Sequence, residues 1–106
     1  MAFTLRINQP AADNLKAIRA YNSRRIIAAI DANLISEPAV PSRNRKCLDD
    51  AVPPFEHVAP IWELRVGEFR VYYDVDSEIQ AVFIRRVRHK KAHMTTEDVF
   101  NEKDDA

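Results

Sequence analysis

The spacing of hydrophobic positions changes along the chain, and each change marks an element. At residues 3–8 (FTLRIN), Phe3, Leu5 and Ile7 alternate with polar neighbours, the period of a strand with one buried face. Pro10 then suits the first turn of a helix. From Ala11 to Tyr21 the apolar residues fall at Ala11, Leu15 and Ile18, a helical spacing. Asn22-Ser23 interrupts. Ser23 is placed to cap a second helix whose apolar stripe is Ile26, Ile27, Ile30 and Leu34. That helix is expected to stop before Pro38, because the residue ahead of a proline resists helical dihedrals. Together the two make a helical hairpin.

Residues 38–60 hold five of the six prolines and predict a long connection with no regular element. Alternation returns at Ile61–Val66, with Trp62, Leu64 and Val66 on one face and Ile61, Glu63 and Arg65 on the other. Gly67-Glu68 takes a two-residue turn position, where glycine supplies the positive φ of a tight hairpin. Phe69–Val75 alternates again, with Arg70, Tyr72 and Asp74 opposite Phe69, Val71, Tyr73 and Val75. This turn pairs Val66 with Phe69, Leu64 with Val71 and Trp62 with Tyr73, and sets Arg65 opposite Arg70 and Glu63 opposite Tyr72. After a turn at Asp76-Ser77-Glu78, Ile79–Val87 reads as a third strand, apolar enough to be buried on both sides. The predicted class is α+β: an N-terminal strand, a helical hairpin, then an antiparallel β-meander with the helices on one face and the other face partly open.

Composition narrows the class without changing the architecture. A chain of 106 residues, 46% apolar and 30% charged, predicts one soluble domain. The single cysteine, Cys47, excludes an internal disulfide framework and fits a reducing compartment. No apolar run approaches the ~20 residues of a membrane span. The N-terminus lacks a signal-peptide layout, so a cytoplasmic location is expected and no membrane contact. Zero formal net charge hides an asymmetry. Setting aside residues 97–106, with five acidic residues and Lys103, leaves 15 basic against 11 acidic residues in 1–96. We therefore expect a folded domain over 1–96 and an acidic, flexible tail over 97–106. Five of the seven residues from Arg85 to Lys91 are Arg or Lys, and a sixth is His89. A small sheet that gathers cations at one end suits a polyanion such as RNA, DNA or the ribosome surface. His57, His89 and His93 share no metal-ligand spacing, so no metal site is expected. Cys47 follows Lys46, a neighbour that would lower its pKa, but it has no paired histidine and no chemistry is assigned to it.

Three segments in combination carry a resemblance: the basic run Arg43–Lys46, WELRVGEFRVYYDVD at Trp62–Asp76, and VRHKK at Val87–Lys91. Over about residues 1–91 the chain resembles the RelE/ParE toxin superfamily of type II toxin–antitoxin systems. The resemblance implies a RelE-like fold whose face opposite the helices is the active surface. It implies one of three functions: a ribosome-dependent mRNA endonuclease acting through the 2′-hydroxyl, a ParE-like inhibitor of DNA gyrase without nuclease activity, or a degenerate RNA-binding member. It implies no cofactor. The implied partners are a cognate antitoxin, in a hetero-oligomer, and mRNA on the ribosome or else gyrase. Arg70 matches a catalytic arginine of RelE-type members, and a guanidinium suits the charge that builds on a pentavalent phosphate. Lys90 falls near a second catalytic arginine, though lysine offers a point charge and no fork. Glu63, close to Arg65 and Arg70, is a candidate for taking the 2′-hydroxyl proton. His89 adds a group able to give or take a proton. Arg65, Arg86, Arg88 and Lys91 are expected to bind RNA phosphates, Tyr72 to stack on a base, and Arg43, Arg45 and Lys46 to touch the backbone. One departure stands out: the tyrosine several RelE-type members carry after the last strand aligns here with Thr96.

Overall fold

The computed structural model describes residues 2–102. Strand β1 (Thr4–Ile7) leads into helices α1 (Gln9–Ala17) and α2 (Ala20–Leu34). Strands β2 (Arg45–Leu48), β3 (Ile61–Val66), β4 (Phe69–Asp76) and β5 (Ala81–His89) follow, then a short helix α3 (Thr96–Phe100). The strands form one sheet in the order β1-β5-β4-β3-β2.

The meander takes the expected register: Val66 pairs with Phe69, Leu64 with Val71, Trp62 with Tyr73, Arg65 with Arg70 and Glu63 with Tyr72. Gly67 has φ +56° and carries the turn. The other parts of the sheet depart from expectation. β1 pairs in parallel with β5, so the sheet is mixed and not wholly antiparallel. β2 lies inside the proline-rich connection and pairs antiparallel with β3 as an edge strand. The strand itself holds no proline; Pro41 and Pro53 lie outside it. The last strand starts at Ala81 and not at Ile79, because the turn at Ser77–Gln80 absorbs Ile79, and it runs on to His89. Asp76 Oδ1 accepts from the Glu78 and Ile79 amides there, and Gln80 takes φ 53°.

The break between α1 and α2 falls at Ile18-Arg19, not at Asn22-Ser23. Ser23 lies inside α2 and caps the other helix. Its hydroxyl donates to the Leu15 carbonyl at 2.6 Å and the Ile18 carbonyl at 3.3 Å, satisfying the open C-terminal end of α1. The helical stripe of Ala11, Leu15, Ile26, Ile30 and Leu34 packs on Trp62, Leu64, Val66, Phe69, Val71, Tyr73, Val82, Ile84 and Val87. Burying each of the larger aliphatic side chains contributes roughly 1.5–3 kcal/mol. This is the main core, and it lies wholly on the α1/α2 side.

A second, smaller core covers the opposite face. Phe55, Ile61, Tyr72, Val99 and Phe100 are buried together there. Residues 97–102, expected to be part of an acidic tail, are thus helix and helix cap through Asn101, held by Val99 and Phe100. Residues 103–106 lie outside the described residues. Thr95 and Asp98 form a reciprocal capping box at the start of α3, which lets so short a helix form.

Candidate functional site

Strand register sorts the candidate residues into two rows on the face away from α1 and α2. Arg65, Arg70 and Arg88 are adjacent across β3, β4 and β5. Lys46, Glu63, Tyr72 and Arg86 form the next row across four strands. The β4–β5 ladder shifts between Tyr72, opposite Arg86, and Tyr73, opposite Ile84. Arg85 is therefore an extra residue, a β-bulge, and it turns with Arg86 and Arg88 to the same face while Ile84 and Val87 keep to the main core.

Arg70 is only 7% exposed. Its Nη1 donates to the Gly67 and Phe69 carbonyls, both at 2.9 Å, and its Nε lies 3.9 Å from Glu63 Oε1. Arg65 is exposed beside it. Arg88 is buried, and its Nη1 donates to the Glu102 carbonyl just past α3. Tyr72 is fully buried. Phe100 meets its ring edge-on at 4.9 Å between centroids, and Phe55 lies at 6.1 Å. The expected open stacking platform is therefore covered, because Phe55 and α3 use the same ring for their own burial. Burial, followed by the negative charge of Glu63, holds the Tyr72 phenol far above its ordinary pKa; Arg70 and Arg88 pull the other way. The Glu63 carboxylate sits near that phenol without bonding to it in good geometry. Tyr72 Oη and Glu63 Oε2 are buried with no hydrogen-bond partner among the described residues.

Other candidates lie elsewhere. His89 is opposite Phe69, a main-core residue, so it projects to the α1/α2 side and away from Arg70. It rests on the Phe69 ring at 5.1 Å and has Nε2 3.1 Å from Glu68 Oε2. Its pairing with Arg70 in one catalytic group is not what the fold builds. Arg45 is opposite Leu64 and also faces the helices. It donates to the Val40 and Asn33 carbonyls at 2.8 and 3.1 Å, tying the end of α2 to β2, so its expected role on RNA gives way to a structural one. Lys90 follows β5, with its amide bonded to the Glu68 carbonyl. Arg43, ahead of the edge strand β2, and Lys91, past the end of the interior strand β5, are exposed.

Sequence reasoning did not find Phe55, Phe100 or the Asp74–Arg85 pair. Asp74 Oδ2 and Oδ1 accept from Arg85 Nε at 2.6 Å and Nη2 at 3.1 Å, and the Val58 amide donates to Oδ2 at 3.0 Å. This anchors the connection that carries Phe55. Between Phe55, Phe100, Arg86, Arg88, Pro54 and Asn101 lies an open cleft of about 510 Å³. The Arg86 guanidinium covers the Phe55 ring at 4.8 Å.

Cys47 is not activated by Lys46. Burial, with a hydrogen bond from its thiol to Asp49 and the charge of Asp49, pushes it from 9.0 up to about 11. Two pH units mean roughly a hundredfold less thiolate at pH 8. Iodoacetamide is expected to alkylate the folded chain about a hundredfold more slowly than the unfolded one, and Asp49→Asn to recover part of that rate. Equal rates for folded and unfolded chains would show the thiol to be unprotected.

Among the described residues no group of three or more His, Cys, Asp or Glu could hold a metal ion, and no helix is long and apolar enough to cross a membrane. The family model for the ParE toxin of type II toxin–antitoxin systems, parDE, matches residues 5–94. No curated protein matches the chain. Among solved structures, the RelBE2 toxin–antitoxin complex of Mycobacterium tuberculosis matches with TM-score 0.66 and 24% identity, over 85% of this chain and 100% of that one. The archaeal RelE–RelB complex of Pyrococcus horikoshii OT3 matches with TM-score 0.66 and 19% identity, over 87% and 99%. At such identities the structural likeness speaks for the fold, while the family match spans most of the sequence. The chain belongs to the ParE toxin family of the RelE/ParE superfamily and is the toxin of a type II toxin–antitoxin system.

Proposed function

We propose that this toxin is a ribosome-dependent mRNA endonuclease whose working surface is the arginine-lined face of the sheet. The observation that carries the reading is Glu63: a carboxylate with one oxygen lacking a well-formed hydrogen bond among the described residues, set beside Arg70 in the middle of that face. RNA cleavage through an internal nucleophile needs a proton acceptor for the 2′-hydroxyl and fixed positive charge around the phosphate. Glu63 supplies the first, and Arg70 with Arg65 and Arg88 the second. Lys46, Arg86, Lys90 and Lys91 add contacts to the backbone. The reaction draws its nucleophile from the substrate and needs no cofactor in this scheme. The toxin is held in check by a cognate antitoxin, in keeping with two structural relatives that are toxin–antitoxin complexes.

A gyrase-directed toxin is the second reading, favoured by the parDE name of the matching family and by the cover over Tyr72. Expression from a tight promoter without antitoxin separates them. Growth arrest with mRNA cut on ribosomes is the expected result. Arrest with intact mRNA and a DNA-damage response would replace it with the gyrase reading. Harmless expression would overturn both.

A further inference from the structure

We propose that Tyr72 is a catalytic residue, the proton donor to the leaving 5′-oxygen when RNA is cut; this rests on the nuclease reading above. Two buried tyrosines stand next to each other on β4, and the fold treats them differently. The Tyr73 hydroxyl donates to the Pro38 carbonyl at 2.7 Å. The Tyr72 hydroxyl is fully buried and meets only the nearby Glu63 carboxylate, in poor geometry, with no well-formed hydrogen bond among the described residues. A phenylalanine would fill the same place among Phe55, Phe100 and Ile61 without burying an unmade bond, so packing does not explain the oxygen. What surrounds it is chemistry. Glu63 is its cross-strand neighbour, Arg86 its neighbour on β5, and Arg70 and Arg88 are near enough to act on its charge.

The two groups divide the proton work. Glu63 takes the proton of the 2′-hydroxyl as that oxygen bonds to phosphorus. The phosphorus–5′-oxygen bond breaks with its electron pair, and Tyr72 gives its proton to the departing oxygen. The products are a 2′,3′-cyclic phosphate and a 5′-hydroxyl. The proton on Glu63 then returns to the Tyr72 phenolate across the strand pair, restoring both. Burial and the adjacent carboxylate keep the phenol protonated, which suits a donor and not an acceptor. Phe100 closes the site in this conformation, and α3 is held by Val99 and Phe100, by Met94 beside them and by the Arg88 bond to the Glu102 carbonyl. Substrate reaches the phenol once that short helix lifts.

The test uses ribosomes carrying an mRNA that the wild-type chain cuts, and the same mRNA with sulfur replacing the 5′-bridging oxygen at the cut position. Sulfur leaves without needing a proton. Tyr72→Phe is expected to slow cleavage of the ordinary mRNA by about a hundredfold or more. On the sulfur-bridged mRNA it is expected to match wild type to within a few-fold. Its melting temperature is expected at or above wild type. Wild-type cleavage of the ordinary mRNA by Tyr72→Phe would overturn the assignment, as would equal slowing on both substrates, which is the mark of a packing role. A wild-type chain that cuts no mRNA at all removes the nuclease reading, and the assignment with it.

Discussion

Asp74→Ala is expected to destabilise the fold by about 3–5 kcal/mol, the size of effect seen when one partner of a buried ion pair is removed. Asp74 is 2% exposed and Arg85 7%. The carboxylate accepts two bonds from the guanidinium and one from the Val58 amide. Without it, Arg85 keeps the Phe83 ring at 5.1 Å and Glu56 at 3.4 Å, the latter almost wholly in water and of little strength. The Val58 amide loses its acceptor as well. Urea unfolding measures the loss, and a cost under about 1 kcal/mol would mean that water replaces the carboxylate freely. The partner experiment separates charge from shape. Asp74→Leu with Arg85→Met removes both charges together, and is expected to recover most of the loss, because the expensive species is the single buried charge and not the missing pair.

The second large effect is on activity. Arg70→Ala is expected to abolish growth arrest and to lower mRNA cleavage by about 10²–10³, the range found when one preorganised donor to a developing charge is lost. Arg70 is held rigid by the Gly67 and Phe69 carbonyls, so its remaining donors are aimed before substrate arrives. Arg70→Lys keeps the charge but loses the fork, and is expected to retain little of the activity. The measurements are growth on induction, primer extension across ribosome-bound mRNA, and a melting curve to show each variant folded. Full toxicity of Arg70→Ala would remove Arg70 from the chemistry.

The meander could be read in the sequence because its signals are local. Strict alternation on both sides of Gly67-Glu68 leaves one register that buries Trp62, Leu64, Val66, Phe69, Val71 and Tyr73 together. What could not be read depends on distant partners. Arg45–Leu48 is four residues long and becomes a strand only through its ladder with β3, and that ladder turns Arg45 toward the helices. The bulge at Arg85 interrupts an alternation that the apolar run from Ala81 to Ile84 had already hidden. His89 was within reach: counting from Val87 at period two places it on the core side. The cover over Tyr72 was masked by composition. Val99 and Phe100 sit among acidic residues, which suggested a solvated tail, although Thr95 and Asp98 already spell a helix start.

The additional residue in β5 ties chain length to charge. Without Arg85, Ile84 and Arg86 would be consecutive opposite Tyr73 and Tyr72, and the ladder would run on evenly. Asp74 would then keep the Val58 amide and lose the guanidinium that answers its charge. A relative one position shorter at this point should therefore carry an uncharged residue in place of Asp74, and a relative that regains the acid should regain the insertion.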